Sequence, residues 1–388
     1  MKIIKKAINF QDSSYPLEHI DELSQILFVD IETTGFTAKS SYLYLIGCLC
    51  YEEGCWQLKQ FLAEDYIEEP FILQEFLVLC KNYHTLIHYN GNNFDLPYLR
   101  QKCEQFGLKA PFDGIKADSP ENTGNIEHTE SAPMNGIDIY KRISGFKNIL
   151  HLENCKQKTL EGFLGISRED KYNGGELISI YHEYVKTKNP ELLELLLLHN
   201  SEDMQGMFAL LPVLSYMDML LIPFRVVKVQ ANHYDDLSGI RSYEVLMKIK
   251  FHTAFPKPIA IHGNGCHFSG EGREGYLKVP CLKGELKYFY SNYKEYYYLP
   301  MEDTAIHKSV AAFVNKDFRR QASATDCYTK KQGTYLPEWD MLFTPIFKKS
   351  YQDKDLFFEL TEEIKRSPEE FTKYALHVLD MLIHQGKK

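Results

Sequence analysis

The chain has 388 residues, 44% of them hydrophobic and 25% charged, with a formal net charge of −9. That length suggests two or three domains with packed cores. No apolar run approaches the roughly 20 residues needed to span a bilayer, and the opening MKIIKKAINFQDSSYP lacks the apolar segment and cleavage site of a signal peptide, so a globular cytoplasmic protein without a membrane partner is expected.

Nine cysteines occur without a C-x-x-C pair, which reads as reduced core thiols rather than a disulfide framework or a zinc site. The acidic balance argues against a nucleic-acid partner taken whole, but it is unevenly spread. Residues 1–225 carry 20 Lys and Arg against 32 Asp and Glu, whereas residues 226–388 carry 24 against 21. An acidic first half fits a site built from metal-binding carboxylates, and a solvated acidic surface gives the same sum.

After an N-terminal extension at 1–23, apolar runs at 26–31, 42–51 and 56–64 predict three strands in succession. A helix over 68–83, a strand over 85–90 and a helix opening at Asp95 follow. Three strands and then alternation point to a mixed sheet covered by helices. Residues 113–136 are polar and rich in Gly, Pro, Ser and Asn, the composition of a long mobile loop. Beyond them come a short strand at 136–143, a helix at 158–166 and a strongly apolar helix that Asn189-Pro190 would start. The texture changes near 220–235, so we read 24–225 as one domain and 226–388 as a smaller, Tyr-rich α+β domain with a helical segment at 304–315 and a closing helix at 368–385.

Three stretches carry chemistry. In LFVDIETTGF, Asp30 and Glu32 share one face of a strand, and two such carboxylates stay ionised together only beside something positive, for which Mg²⁺ or Mn²⁺ is the natural partner. A strand running out into solvent at Asp30 would look the same. In LIHYNGNNFDLPYL, Asp95 stands where a helix begins, as an N-cap or as a third acid. In LLLLHNSEDM, His199 and Asp203 are one turn apart on an inward face, as a structural ion pair or as part of a site.

Taken in chain order, DIETTG, NGNNFD and HNSED resemble the three motifs of the DEDD exonucleases of the ribonuclease-H-like fold. His199 lies four positions before Asp203, and this H-N-x-x-D form, with KTLEGFLGISRED at 158–170, is similar to the YprB-like branch. The resemblance covers roughly residues 24–215. It implies a ribonuclease-H-like α/β domain, with Asp30, Glu32, Asp95 and Asp203 holding two divalent cations, Mg²⁺ or Mn²⁺, that clamp an in-line phosphoryl displacement. It further implies a 3′→5′ exonuclease that converts single-stranded RNA or DNA to nucleoside 5′-monophosphates. His199 would act as general base or as an orienting residue. Thr33, Thr34 and Gly35 would meet the terminal nucleotide, and Asn90 would position its sugar. Asp138 fits an outer acid or an ordinary loop-edge residue. A structure-selective endonuclease on the same scaffold and a non-catalytic nucleic-acid-binding protein are the competing expectations. In the second domain, Tyr and Phe interleaved with Lys at 283–298, and further cations at 308–354, suggest either a single-strand platform or a Tyr-rich β-domain with a solvated face.

Overall fold

A computed structural model describes the chain except for residues 11–14, 113, 116–133, 170–171, 173, 236–238, 240 and 386–388. Most of the loop expected at 113–136 therefore lies outside the described residues. It forms two compact units. One comprises Met1–Ile222 with Thr253–Lys257, the other Pro223–His252 with Pro258–Lys388.

The first unit is built on strands β1 (Lys2–Ile8), β2 (Ile26–Thr33), β3 (Leu43–Glu52), β4 (Cys55–Leu62), β5 (Thr85–His88) and β6 (Asn135–Asp138), in the spatial order β1-β4-β3-β2-β5-β6. The first four pair antiparallel, while β2–β5 and β5–β6 are parallel. The central strands read as nearly unbroken apolar runs because both of their faces are covered.

Leu27, Val29 and Ile31 pack on one side against α1 (Glu69–Cys80) and α2 (Asp95–Phe106). Tyr44, Leu45 and Leu62 pack on the other against α5 (Gly174–Thr187) and α6 (Pro190–Ala209). Three shorter helices, α3 (Ile139–Ser144), α4 (Gln157–Leu164) and α7 (Ser215–Leu221), complete the unit. The mixed α/β sheet flanked by helices agrees with the expected fold class.

Local chemistry sets the helix ends. Gly107 and Gly165 close α2 and α4 in the left-handed conformation, at φ 65° and 80°, where a β-carbon is costly. Asn189 caps α6 by accepting the Glu191 N–H, with Pro190 in the first turn. Three local readings are corrected. The segment taken as an N-terminal extension supplies edge strand β1, paired along its length with β4. The strand expected over 136–143 ends at Asp138, where the aspartate side chain caps α3. Helix α5 had no sequence-based counterpart.

The second unit is sheet-rich. Strands β7 (Arg225–Asp235), β8 (Arg241–Gly263), β9 (Cys266–Phe289), β13 (Tyr328–Glu338), β14 (Ile346–Phe347) and β15 (Leu356–Glu359) lie in the order β14-β15-β13-β9-β8-β7. Asn264 and Gly265, at φ 49° and 77°, turn β8 into β9, the backbone that Asn-Gly hairpins favour. A second sheet joins β10 (Tyr296–Leu299), β11 (Thr304–His307) and β12 (Arg320–Gln321). Helices α8 (Glu362–Lys365) and α9 (Pro368–His384) follow.

The helix expected at 304–315 is instead β11 and a short 3₁₀ turn at Ala311–Phe313, because its residues pair with β10 rather than bury a helical stripe. Tyr290, Tyr293, Tyr296 and Tyr298 pack around Ala305, Ala322 and Cys327, and Arg319 and Arg320 lie over the rings of Tyr297 and Tyr298.

Candidate active site

Parallel strands with helices between them leave a crevice outside their carboxyl ends, and the residues singled out in the sequence gather there. Alternation along β2 turns Val29 and Ile31 toward α1 and α2, so Asp30 and Glu32 face α6. There His199 Nε2 lies 3.2 Å from Asp203 Oδ2 and 3.6 Å from Glu32 Oε1. Glu32, His199 and Asp203 each offer a donor atom, all within 4.8 Å of one another.

Asp30 is held by a polar row that crosses the sheet. It pairs in register with Gly47 of β3, which pairs with Gln60 of β4. Asn200, fully buried on α6, lies over this row. It donates from Nδ2 to Asp30 Oδ2 at 3.1 Å and accepts from Gln60 Nε2 at 3.0 Å. Gly47 leaves the room for it. A β-carbon there would stand 2.2 Å from Asn200 Oδ1. Gly47→Ala is therefore expected to cost about 1–3 kcal/mol and to lower activity by pushing Asn200 off Asp30, as denaturant unfolding and a turnover assay on one preparation would measure.

Asp95 is buried at the first position of α2. Phe94 occupies the cap position and makes no side-chain cap bond, so Asp95 is not the N-cap that one reading allowed. Its carboxyl instead takes hydrogen bonds from the backbone of Asp95 itself and of Ile31.

Arg168 completes the constellation, hydrogen-bonded through Nη1 to Asp203 and through Nε to buried Glu161. Gln157 binds the Asp203 backbone carbonyl at 2.8 Å. The sequence reading missed Arg168, Glu161, Gln60 and the role of Asn200. Adjacency to His199 was the signal for Asn200, and the quoted segment KTLEGFLGISRED already contained Glu161 and Arg168.

The turn residues are engaged locally. Thr33 Oγ1 donates to the Gly35 carbonyl at 2.9 Å, and Thr34 Oγ1 accepts the Tyr42 N–H at 2.8 Å. Asn90, at φ 59°, accepts from Asn93 Nδ2 at 2.7 Å and donates its backbone N–H to Asp138 at 2.8 Å. Asp138 also receives the Asn92 N–H and caps α3. It is buried and organises the Asn90 turn.

The electrostatics are those of an anionic cluster. Enclosure in protein, then the charges of Asp203, Glu32 and Asp95, drive the Asp30 carboxyl well above the usual carboxylate range. Burial, then Asp138 and Asp203, push Asp95 up to about 7 against the backbone hydrogen bonds. Burial acts on Asp203 in the same direction, but His199 and Arg168 outweigh it and hold that carboxyl low.

The sign of the stability effect follows. Between about pH 4 and 7 the metal-free folded chain keeps a proton on Asp95 that the unfolded chain releases, and the raised Asp30 carboxyl acts in the same direction, so stability falls as pH rises through that window. The Asp203 contribution is lost only below about pH 4. In EDTA the wild type is expected to lose thermal stability relative to Asp95→Asn between pH 5 and 7.5, and Mn²⁺ should narrow that gap. Parallel melting profiles in EDTA would contradict this account.

The donor set fits a divalent cation: carboxylates and one imidazole, with an excess of negative charge that protonation relieves in its absence. A model of the RNase H superfamily matches residues 27–215, and that stretch contains the four acids and His199. A DNA polymerase of Thermococcus sp. (strain 9oN-7) is 32% identical over 103 residues, which are 24% of this chain and 13% of the polymerase.

Among solved structures, the family B DNA polymerase of Pyrobaculum calidifontis shares 12% identity at a TM-score of 0.38, over 70% of this chain and 35% of the polymerase. E. coli exonuclease I, solved with a dA16 oligonucleotide, shares 14% at a TM-score of 0.26, over 58% and 54%. The chain thus spans a minor part of the polymerases and about half of exonuclease I. Residues 27–215, the stretch that the RNase H superfamily model matches, have an RNase H-like fold, and the second unit lies beyond them.

Proposed function

We propose that this RNase H-like domain is a metal-dependent 3′→5′ exonuclease that hydrolyses single-stranded RNA or DNA to nucleoside 5′-monophosphates. One observation carries the reading: Asp30, Glu32, Asp95 and Asp203, from two strand-associated motifs and a late helix, converge with His199 at one crevice.

Asp30, Glu32, Asp95 and Asp203 would hold Mg²⁺ or Mn²⁺. When bound, such ions offset the negative charge of the phosphodiester and of the departing 3′ oxygen. The remaining work falls to the chain itself. Asn200 fixes the rotamer of Asp30 through Gln60, and Arg168 holds Asp203 ionised and in place. The Nε2 of His199, which faces the carboxylates, takes the proton of the attacking water or orients that water toward phosphorus. The P–O3′ bond breaks and the 5′-phosphate leaves on the terminal nucleotide. Thr33, Thr34, Gly35 and Asn90 shape the turns that would meet that nucleotide.

A labelled strand tests the polarity and the need for an end. Linear RNA and DNA carrying a 5′ label should shorten stepwise, with mononucleotides released from the 3′ end, while a closed single-stranded circle of the same sequence stays intact. Cutting of the circle would identify an endonuclease. Binding without turnover of either polymer in Mg²⁺ and in Mn²⁺ would identify a binding protein.

A further inference from the structure

The second unit contains a cavity of about 650 Å³, within the range of small-molecule sites. Three kinds of group meet in its lining. Lys283, Lys349 and Lys354 supply positive charge, and none of them forms an ion pair among the described residues. Lys283 Nζ stands 3.8 Å from the Tyr243 ring centroid, which fixes that cation in position. Trp339 lines the cavity half-buried, its ring tilted by 31° against that of His377 with 5.8 Å between centroids.

Glu338 is 2% exposed. Its Oε2 accepts the N–H groups of Leu342 and Phe343 at 3.2 and 3.1 Å, whereas its Oε1 has no hydrogen-bond partner among the described residues. A buried acceptor of this kind is costly unless something donates to it.

A ligand that satisfies all three features is anionic at one end, flat and aromatic in the middle, and rich in N–H at the other. A uniformly acidic peptide meets the lysines but repels Glu338, and a bare phosphate leaves both Trp339 and Glu338 unused. We propose that this cavity binds one nucleotide unit, with its phosphate among Lys283, Lys349 and Lys354, its base against Trp339, and the N–H edge of the base toward Glu338 Oε1. The unit is either a free mononucleotide or one residue of a single strand. The site stands on the second unit alone, independently of any hydrolysis in the first.

Equilibrium binding to the full chain in EDTA tests it, with AMP, ribose 5-phosphate and an oligo-dA strand as probes. AMP is expected to bind at least about tenfold more tightly than ribose 5-phosphate, and Trp339→Ala to weaken AMP by about tenfold or more, the scale of one lost base stack. Lys349→Ala with Lys354→Ala should weaken it further, while Asp95→Asn leaves it unchanged. Displacement of AMP by oligo-dA assigns the unit to a strand, as does oligo-dA binding that Trp339→Ala weakens when AMP alone does not bind. AMP binding that oligo-dA does not displace assigns the site to the free nucleotide. Absence of binding by both AMP and oligo-dA, equal measurable binding of AMP and ribose 5-phosphate, loss of binding in Asp95→Asn, or indifference of both AMP and oligo-dA to Trp339→Ala in a variant that melts like wild type would overturn the proposal.

Discussion

Asp30→Asn is expected to lower phosphodiester hydrolysis by about a thousandfold or more, on the scale of losing a preorganised electrostatic group, while leaving the metal-free chain at least as stable as wild type at pH 7.5. The two halves of this result have one cause. Asp30 is enclosed and faces Asp203, Glu32 and Asp95, so its charge is unfavourable without a cation. Asparagine keeps the shape, keeps an oxygen for the Asn200 amide, and removes the charge. The variant loses what the cation needs and what the bare fold tolerates poorly. Turnover in millimolar Mn²⁺ and melting in EDTA, measured together, check it. Near-normal turnover would remove Asp30 from the metal-holding set, and a destabilised variant would show that its carboxylate is structural.

For His199→Ala the expected loss is about 10²–10⁴-fold, the usual contribution of a positioned proton acceptor. The fold should tolerate the change, because the α6 residues around it are held by Leu196 in the helix–sheet core and by Asn200 on the polar row. Asp203 keeps Arg168 as a partner when the imidazole is gone, so the variant should still gain thermal stability from Mn²⁺. His199→Tyr separates the two roles of this position. Substantial activity with tyrosine means that orientation suffices, and activity as low as that of alanine means that proton transfer matters. A loss of less than about tenfold in His199→Ala, with the chemical step shown to limit the rate, would exclude His199 as the base.

The parts of this protein that were legible in its sequence are those whose cause is local. Buried central strands announce themselves as apolar runs, which placed β2, β3 and β4, and α6 was visible from Asn189-Pro190 and its leucines. The acids were legible because spacing along a strand or a helix decides which side chains share a face. Asp30, Glu32, His199 and Asp203 needed nothing beyond periodicity to be grouped in pairs. What stayed hidden depends on partners far away in the chain. Gln60 reads as one polar residue in an apolar strand until Asn200 lies over it, and Arg168 as a surface cation until Asp203 and Glu161 close around it. The segment 304–315 carries Ile306, Val310, Phe313 and Val314 at helical spacing, yet pairing of Thr304–His307 with β10 decided its first part. Strand β1 was missed for a related reason, since only Ile8 is buried among its seven residues.

That exposed strand has a bearing on how the chain behaves in a crowded solution. Beneath it lies β4, most of whose residues are buried, and the far side of β1 carries the open backbone groups at that end of the sheet. Open edges invite strands from other molecules. Here the sequence works against it: Lys5 and Lys6, with Lys2 paired to Glu64, put three ammonium groups into seven residues, and a second copy of the same strand would bring like charges together at those lysines. β1 therefore adds little to the core and much to colloidal safety, because it stands between a sticky apolar strand and the neighbours that would otherwise polymerise on it.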